Sequence, residues 1–439
     1  MATLIVGGGI IGLSTAYYLS ETQDVVVVDT APELFRCASG RSGGYMSRLW
    51  YGPEVAPLGK LSFRLHAEAA AAHDGAAAWG YRRTTAWSIK SAGRRPETEY
   101  AEERLPKDGA MPPWVFGDPA ESYVLDGEDD CAQVNPRLLC EHLYRTCVAR
   151  GVRIIHPCVV ESVAGTKAVR SATLRHLVTG AAETVSIGAV VFATGAWTAD
   201  AFKRALPAAS YTPPVSALAG FALVLSSPRV PYVGTDAPVD PDAHPSTDVA
   251  YYLDAPAPSA EPQASAIDVT QALFVRPAAG ESWSPEIFLR ANGEIFYAGL
   301  NEASYEPPVI ARPAPAYTKD PLASSRQSAT FASALAAMTE AAIIAPGRNK
   351  FDAVLESARN LLGPDVSVLR RSVCVRPVTP SGDPIIGLVP PERAAGLANV
   401  YVCAGHGPWG ISLSLGTGRV MADIVTGQPV SADVSALAP

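Results

Sequence analysis

The sequence predicts an α/β protein in which a nucleotide-binding domain is interleaved with a second, mainly antiparallel β domain. Three stretches predict it: a strand–glycine turn–helix–strand unit at the start, a block of alternating strands in the middle, and another strand–glycine loop–helix unit near the end. The first unit runs Leu4-Ile5-Val6, then Gly7-Gly8-Gly9-Ile10-Ile11-Gly12, an apolar-faced run to Leu19, and Val25-Val26-Val27-Val28 followed by Asp29 and Thr30. In that setting GxGxxG marks a Rossmann-type βαβ unit. Gly7 permits the tight turn, Gly9 lets the backbone approach a pyrophosphate, and Gly12 lets the helix pack close to the strand. The N–H groups of Ile10 and Ile11 open a helix whose positive dipole end favours an anion. Asp29 lies about twenty residues beyond the first glycine, where a carboxylate accepts hydrogen bonds from a ribose.

Bulk properties narrow the class. A chain of 439 residues with 48% hydrophobic and 18% charged residues can bury a large core and divide into two domains. The net charge of −8 and the lack of a Lys/Arg run argue against nucleic acid. No apolar run reaches the ~18 residues of a membrane span. The first strand begins at residue 3, which leaves no room for a signal peptide. Seven scattered cysteines read as reduced thiols. The cytosol is therefore the expected compartment. No His/Cys cluster has metal-ligand spacing.

After Asp29, residues 37–45 (Cys-Ala-Ser-Gly-Arg-Ser-Gly-Gly-Tyr) form a small-residue loop suited to wrapping a flat ligand, with Ser39, Ser42, Gly43 and Gly44 as its contacts. Residues 57–74 carry Leu58, Leu61, Leu65, Ala69 and Ala72 at helical spacing, and Gly75 is read as the stop. Residues 81–125 contain the strand-like pieces 86–89 and 122–125, a first excursion into the second domain. Asn135 caps a helix with Pro136 at its first position and Gly151 at its end. Strands at 152–155 and 159–163 and a ribbon over 172–187 lead to the buried run 189–193 and a small-residue turn. From 213 to about 315, segments 221–225, 273–276, 287–290 and 295–298 read as antiparallel strands, with 227–268 mostly loop. Helices are expected near 327–343 and 350–362. The nucleotide-binding domain is assigned to 1–80, 131–212 and 365–439, and the substrate domain to 81–130 and 213–364.

The last eighty residues narrow the cofactor. Arg371 begins a run through Cys374, Arg376, Pro377, Gly382, Asp383 and Pro384 to Gly387, and the strand 399–404 leads into Gly405-His406-Gly407-Pro408-Trp409-Gly410-Ile411. A second helix N-terminus at the far end of the chain suggests one extended cofactor held from both sides.

Together these stretches resemble the D-amino-acid oxidase/glycine oxidase/sarcosine oxidase family of FAD enzymes, over essentially the whole chain. The resemblance rests on the N-terminal GxGxxG, the 39–44 loop, the 135–151 helix, the Ala193-Thr194-Gly195 turn, Arg376-Pro377 with Gly382-Asp383-Pro384, and Gly405-His406-Gly407. Residues 39–45, 58–66, 79–83 and 405–411 look most like a eukaryotic branch of oxidoreductases, one class of which is linked to endosomal traffic. The resemblance implies FAD, with its ADP half on Gly7, Gly9, Gly12 and Asp29. Its flavin would lie toward Gly43, Gly44 and the 405–411 loop, with further contacts at Val160, Ala193, Gly195 and Trp197.

The resemblance also implies roles. Arg376 falls where the amino-acid oxidases bind the substrate carboxylate, a task that suits a guanidinium fork. Arg48 falls near the carboxylate-binding arginine of the sarcosine oxidases. Cys374 occupies the position that carries a thioether to flavin in that branch, so the FAD could be covalent. Ser412 stands where sarcosine oxidases have a lysine, which disfavours N-methylglycine as substrate. Oxidation in this family is hydride transfer to flavin N5, which needs orientation more than a base, so His406 reads as a loop residue against the cofactor. Trp409 lines the substrate cavity or packs. The expected activity is oxidation of a C–N bond in an amino acid or amine, with O2 reoxidation to H2O2. A tailoring oxidase or dehydrogenase of a larger substrate, and a low-turnover flavoprotein with a binding or trafficking role, remain open. The substrate and the oligomeric state are not legible.

Overall fold

The apolar runs of the N-terminal unit are buried on both faces, which is why they carry no alternation. In the computed structural model of the chain, strands β1 (Ala2–Val6) and β2 (Val25–Val28) pair in parallel, Val6 opposite Val28. Leu4, Val6, Val26 and Val28 face one core and Ile5, Val25 and Val27 the other. Each buried valine contributes about 2 kcal/mol of apolar burial. The structure describes residues 1–31, 33–35, 37–90, 112–116, 121–234, 267, 269–277, 283–303 and 341–439.

The first sheet continues through β7 (Arg153–Ile155) beside β2, and through β10 (Ala182–Phe192), β17 (Val400–Ala404) and β16 (Ile385–Leu388) on the other side of β1. The antiparallel strands β8 (Cys158–Gly165) and β9 (Val169–His176) join it through β10. Helices α1 (Ile10–Leu19), α3 (Ala56–Ala72), α5 (Pro136–Ala149) and α8 (Gly410–Thr426) pack on one side, and α6 (Thr198–Ala205) on the other. The Asn135 Oδ1 accepts the Leu138 N–H at 3.4 Å, as expected of that cap.

The second sheet has the order β15 (Ser367–Val378), β11 (Ser216–Ser226), β14 (Ile295–Glu302), β13 (Glu286–Leu289), β12 (Thr270–Arg276), β4 (Arg82–Lys90), β6 (Cys131–Gln133), β3 (Tyr45–Ser47), with β5 (Glu121–Asp126) paired to β4. Alternation gives it two faces. Phe221, Leu223, Ile287, Tyr297 and Val373 pack against Phe351, Val354 and Leu355 of α7 (Ala341–Leu362). Ala222, Val224, Phe288, Phe296 and Ala298 form the other face, packed with Tyr45, Trp50 and Trp409.

Three sequence expectations change. The helix at 57–74 ends at Ala72, and Asp74, not Gly75, takes the left-handed backbone (φ 49°); Gly75 instead begins the short helix α4 (Gly75–Ala78). There a Cβ would meet Ala70 at 2.7 Å, so the glycine serves close packing. Strand 273–276 pairs antiparallel with β13 but in parallel with β4, Leu273 opposite Trp87. The run 367–378, assigned to the last nucleotide segment, hydrogen-bonds into the second sheet beside β11. The 350–362 helix lies within α7, whereas 327–340 and most of the 227–268 loop lie outside the described residues. No described helix is long and apolar enough to cross a membrane.

Candidate functional site

The glycine turn after β1 is shaped by backbone contact. Gly7 has φ 114°, and a Cβ there would sit 2.4 Å from the Ala193 carbonyl oxygen; one at Gly12 would sit 1.9 Å from the Gly7 carbonyl oxygen. These two glycines bring α1 and β10 against the turn. Gly9 is the cap residue of α1 and has no side chain to satisfy the helix N-terminus. Ser39, from the short helix α2 (Ala38–Arg41), accepts the Ile10 N–H at 2.9 Å. The Asp29 carboxylate accepts from Gly8 N–H (2.6 Å) and Ala31 N–H (2.7 Å). Burial pushes this carboxyl above the usual range, and those N–H groups oppose the rise. Each oxygen keeps a further lone pair for a hydroxyl donor.

A second helix N-terminus meets the first. Gly418 of α8 approaches α1 so closely that a Cβ would lie 2.4 Å from Ser14 backbone atoms. His66 donates from Nε2 to the Ile411 carbonyl at 3.0 Å, and the His406 Nε2 lies 3.2 Å from Thr417 Oγ1. Burial pushes His66 down to about 4 and His406 to about 3, so both imidazoles are neutral. A depressed histidine contributes stability above its unfolded value, near 6.5, and loses it as pH falls toward the folded value. Melting temperature is therefore expected to fall between about pH 6.5 and 4, and His66→Gln should flatten that slope; an unchanged slope would refute the assignment.

Between the two helix starts lies a cavity of about 380 Å³. The sequence-selected residues Gly7, Gly9, Ile10, Ile11, Asp29, Thr30, Ser39 and Ser42 line one wall. Val160, Ala193, Gly195 and Trp197 line the second, and Cys374, Arg376, His406, Gly407, Gly410 and Ile411 close it. The 42–44 loop is pinned from the second sheet: the Ser42 carbonyl accepts from Arg290 Nη2 at 3.1 Å, and the Gly43 carbonyl from Gln133 Nε2 at 2.7 Å. Arg290 is itself held by Glu294 at 2.8 Å, both buried.

Six selected residues lie outside the lining. Gly12, Gly43, Gly44 and Gly405 act through close approach: Cβ atoms there would meet the Gly7 carbonyl, the Phe288 ring, the Val134 carbonyl and Thr379, respectively. Trp409 packs edge-on against Tyr51 and Trp50, centroids 5.3 and 6.2 Å away. Arg48 is 43% exposed and paired with Asp130, Nε to Oδ1 2.6 Å. An exposed pair is worth at most about 1 kcal/mol. Arg48→Ala is accordingly expected to lower stability by less than that and to leave turnover within twofold; a tenfold loss would return Arg48 to the site.

Arg376 reaches from β15 across β11. Its Nη1 donates to Asn301 Oδ1 at 2.9 Å, and a Cβ at Gly220 would come within 2.9 Å of Nη2. Cys374, two residues earlier on the same face, is buried, which pushes its thiol up while the Arg376 and Arg41 charges pull it down. Sequence reasoning missed Cys37, Arg41 and Arg204 in the lining. Cys37 and Arg41 flank the selected Ser39, a signal that was present, whereas Arg204 sits in a helix with no motif.

The lining fits a dinucleotide. Among the described residues, a Cβ at Gly195 (φ 59°) or Gly407 (φ 55°) would meet nothing within 4 Å, and the buried Ser42 Oγ and His406 Nδ1 have no protein partner. Comparison with known proteins agrees. A family model described as FAD dependent oxidoreductase matches residues 3–424. The protein C1F5.03c of Schizosaccharomyces pombe, described as an oxidoreductase, is 23% identical, the match covering 99% of this chain and 97% of the relative. Glycine oxidase from Geobacillus kaustophilus has a similar fold (TM-score 0.66, 17% identity, 99% of this chain and 97% of that one). So has iminodiacetate oxidase from Chelativorans sp. BNC1 (TM-score 0.64, 18% identity, 100% and 98%).

Proposed function

Because this chain belongs to the FAD dependent oxidoreductase family, we propose that it oxidises a C–N bond of an amino acid or amine, with O2 as the final acceptor and H2O2 as product. FAD supplies the hydride acceptor at flavin N5. The chain's part is to hold the substrate so that the carbon bearing the nitrogen faces that atom, which is positioning rather than base catalysis. The carbon–hydrogen bond would break with both electrons leaving as hydride and the nitrogen's proton passing to solvent, leaving an imine; that hydride and one proton reappear in H2O2 when O2 is reduced. The observation that carries this reading is Arg376, a guanidinium fork on the cavity wall held in place by Asn301, suited to a bidentate grip on a carboxylate.

The cofactor assignment follows from the same wall. Gly7, Gly9, Ile10, Ile11, Asp29, Thr30 and Ser39 are proposed to hold the ADP half, with Arg41 and Arg204 adding positive charge. Ser42, Val160, Ala193, Gly195, Trp197, His406, Gly407, Gly410 and Ile411 are proposed to hold the remainder. The first turn of α8 presents N–H groups and a positive dipole end that favour negative charge on a reduced ring. A neutral His406 adds no charge there and leaves Nδ1 to hydrogen-bond. Iminodiacetate oxidase and glycine oxidase, by their names, act on carboxylate-bearing amines, which supports this class for the present chain.

Cys374 carries the question of covalent attachment. Burial keeps its thiol protonated more strongly than Arg376 and Arg41 oppose, and the thiol is a poorer nucleophile than the thiolate. On that balance the FAD is held without a covalent bond, and acid precipitation is expected to leave the yellow colour in the supernatant. A yellow pellet that Cys374→Ser abolishes would establish the thioether instead.

The reaction is tested by supplying D-, L-, N-methyl and cyclic amino acids in air. Peroxide and the keto acid or aldehyde from imine hydrolysis should appear in equal amounts with at least one of them. Product without peroxide would identify a dehydrogenase.

A further inference from the structure

The carboxylates on the second sheet are almost all paired. Glu121 takes Lys90 and Arg276, Asp126 takes the Trp50 indole, Glu294 takes Arg290 and Arg370, and Glu302 takes Lys350. Glu286 differs. It is half-buried at the start of β13, and among the described residues its carboxylate makes no hydrogen bond or ion pair. A half-buried carboxylate without a partner costs desolvation free energy, and functional sites are where such a cost is retained.

Its position is specific. Glu286 shares a face with Phe288, two residues on, and Phe288 faces Tyr45, Trp50 and Trp409. Arg376 and Cys374 lie on that same face, as their register opposite Leu218 and Gly220 of β11 requires. The Arg376 guanidinium crosses above Gly220 to Asn301 of β14, and β13 is the next strand over. Glu286 pairs with Ala298, in the row one side-chain pair along from Gly220 and Asn301. One strand spacing of about 4.8 Å and one pair step of about 6.8 Å set the two charged groups roughly 8 Å apart. Burial raises the proton affinity of Glu286, and the Arg376 charge opposes it, so the two groups sense one another.

Roughly 8 Å is too far for an ion pair and matches an α-amino acid laid between them. Two charge-assisted hydrogen bonds of about 2.8 Å each, with the roughly 3 Å from carboxylate oxygen to nitrogen, span that gap. Asn301 orients the fork, and Phe274, the register partner of Glu286 on β12, supplies an apolar neighbour. We infer that Glu286 receives the substrate's amino group while Arg376 receives its carboxylate, so that the site selects a zwitterion over a neutral amine or a simple carboxylate. The inference rests on the Arg376 assignment made above and adds the residue that reads the nitrogen.

The test compares glycine with propanoate, which has the same number of heavy atoms and no ammonium, by calorimetry on the flavin-loaded protein without oxygen. Wild type should bind glycine about tenfold more tightly. Glu286→Gln should bring the ratio to about one while leaving propanoate unchanged, Glu286→Asp should keep part of the preference, and Arg376→Leu should weaken both ligands. Equal ratios in wild type and Glu286→Gln would overturn the inference, as would no saturable binding of glycine by wild type. Turnover and binding separate the two readings. Loss of the preference in Glu286→Gln from a protein that oxidises no amine would sink the proposed reaction alone; undiminished preference in an active Glu286→Gln would sink this inference alone.

Discussion

Arg376→Leu is expected to lower kcat/KM for a carboxylate-bearing substrate by roughly two orders of magnitude, corresponding to about 3 kcal/mol for a hydrogen-bonded charge pair. Leucine approximates the volume of the stem and removes the fork, so Asn301 loses its donor but β15 keeps its register with β11. The loss should be smaller for amines lacking a carboxylate, because they make no use of the fork. That contrast separates clamping from a structural role: a strand weakened by the substitution would bind every substrate poorly and would melt early. Steady-state kinetics on a paired amino acid and its decarboxylated amine, with a melting curve, gives all three readings. Equal losses on both substrates would contradict the clamp.

Gly12→Ala is expected to yield a colourless protein. An added methyl would lie 1.9 Å from the Gly7 carbonyl oxygen and 3.2 Å from the Ile5 side chain, and neither the backbone oxygen nor a fully buried strand residue can yield cheaply. Helix α1 would have to move away from β1, taking with it the N–H groups of the first turn and the Ile10–Ser39 hydrogen bond. Flavin content after purification and the melting temperature should both fall. Gly418→Ala offers a comparison, since its methyl would meet Ser14 backbone atoms at 2.4 Å on the far side of the same helix. It should destabilise as well while leaving the glycine turn intact. Full flavin occupancy in Gly12→Ala would show that the turn tolerates what its geometry forbids.

How far the sequence reached can be judged from particular elements. The β1–α1–β2 unit was legible to within a residue or two because both faces of its strands are buried and Gly12 answers to a backbone contact with Gly7 five residues away, whereas the contact of Gly7 with Ala193 of the distant β10 end was not. The 37–45 stretch was read as a loop because small residues cluster there; residues 38–41 instead form the short helix α2, and Ser39, chosen as a ligand contact, accepts the Ile10 N–H at the start of α1. The end of α3 was misread because Asp74 and Gly75 both suit the left-handed region, and only the packing of Gly75 on Ala70 assigns it to the next helix. The direction of β12 against β4 was hidden because parallel and antiparallel pairing leave the same alternation within one strand. Glu286 carried no signal at all. It is one charge at a strand start, and its meaning comes from Asn301 on the adjoining strand and from Arg376, which β15 brings to the same face from ninety residues further along the chain.

The central claim is that the cavity between the two helix starts holds FAD beside a grip for an amine. Mixing the flavin-loaded protein with a panel of D-, L-, N-methyl and cyclic amino acids without oxygen, while following the visible flavin absorbance, tests it most directly. At least one compound should bleach the flavin, and admitting air should restore the colour with release of peroxide. A protein whose flavin dithionite reduces fully but no amine or amino acid bleaches would contradict the account.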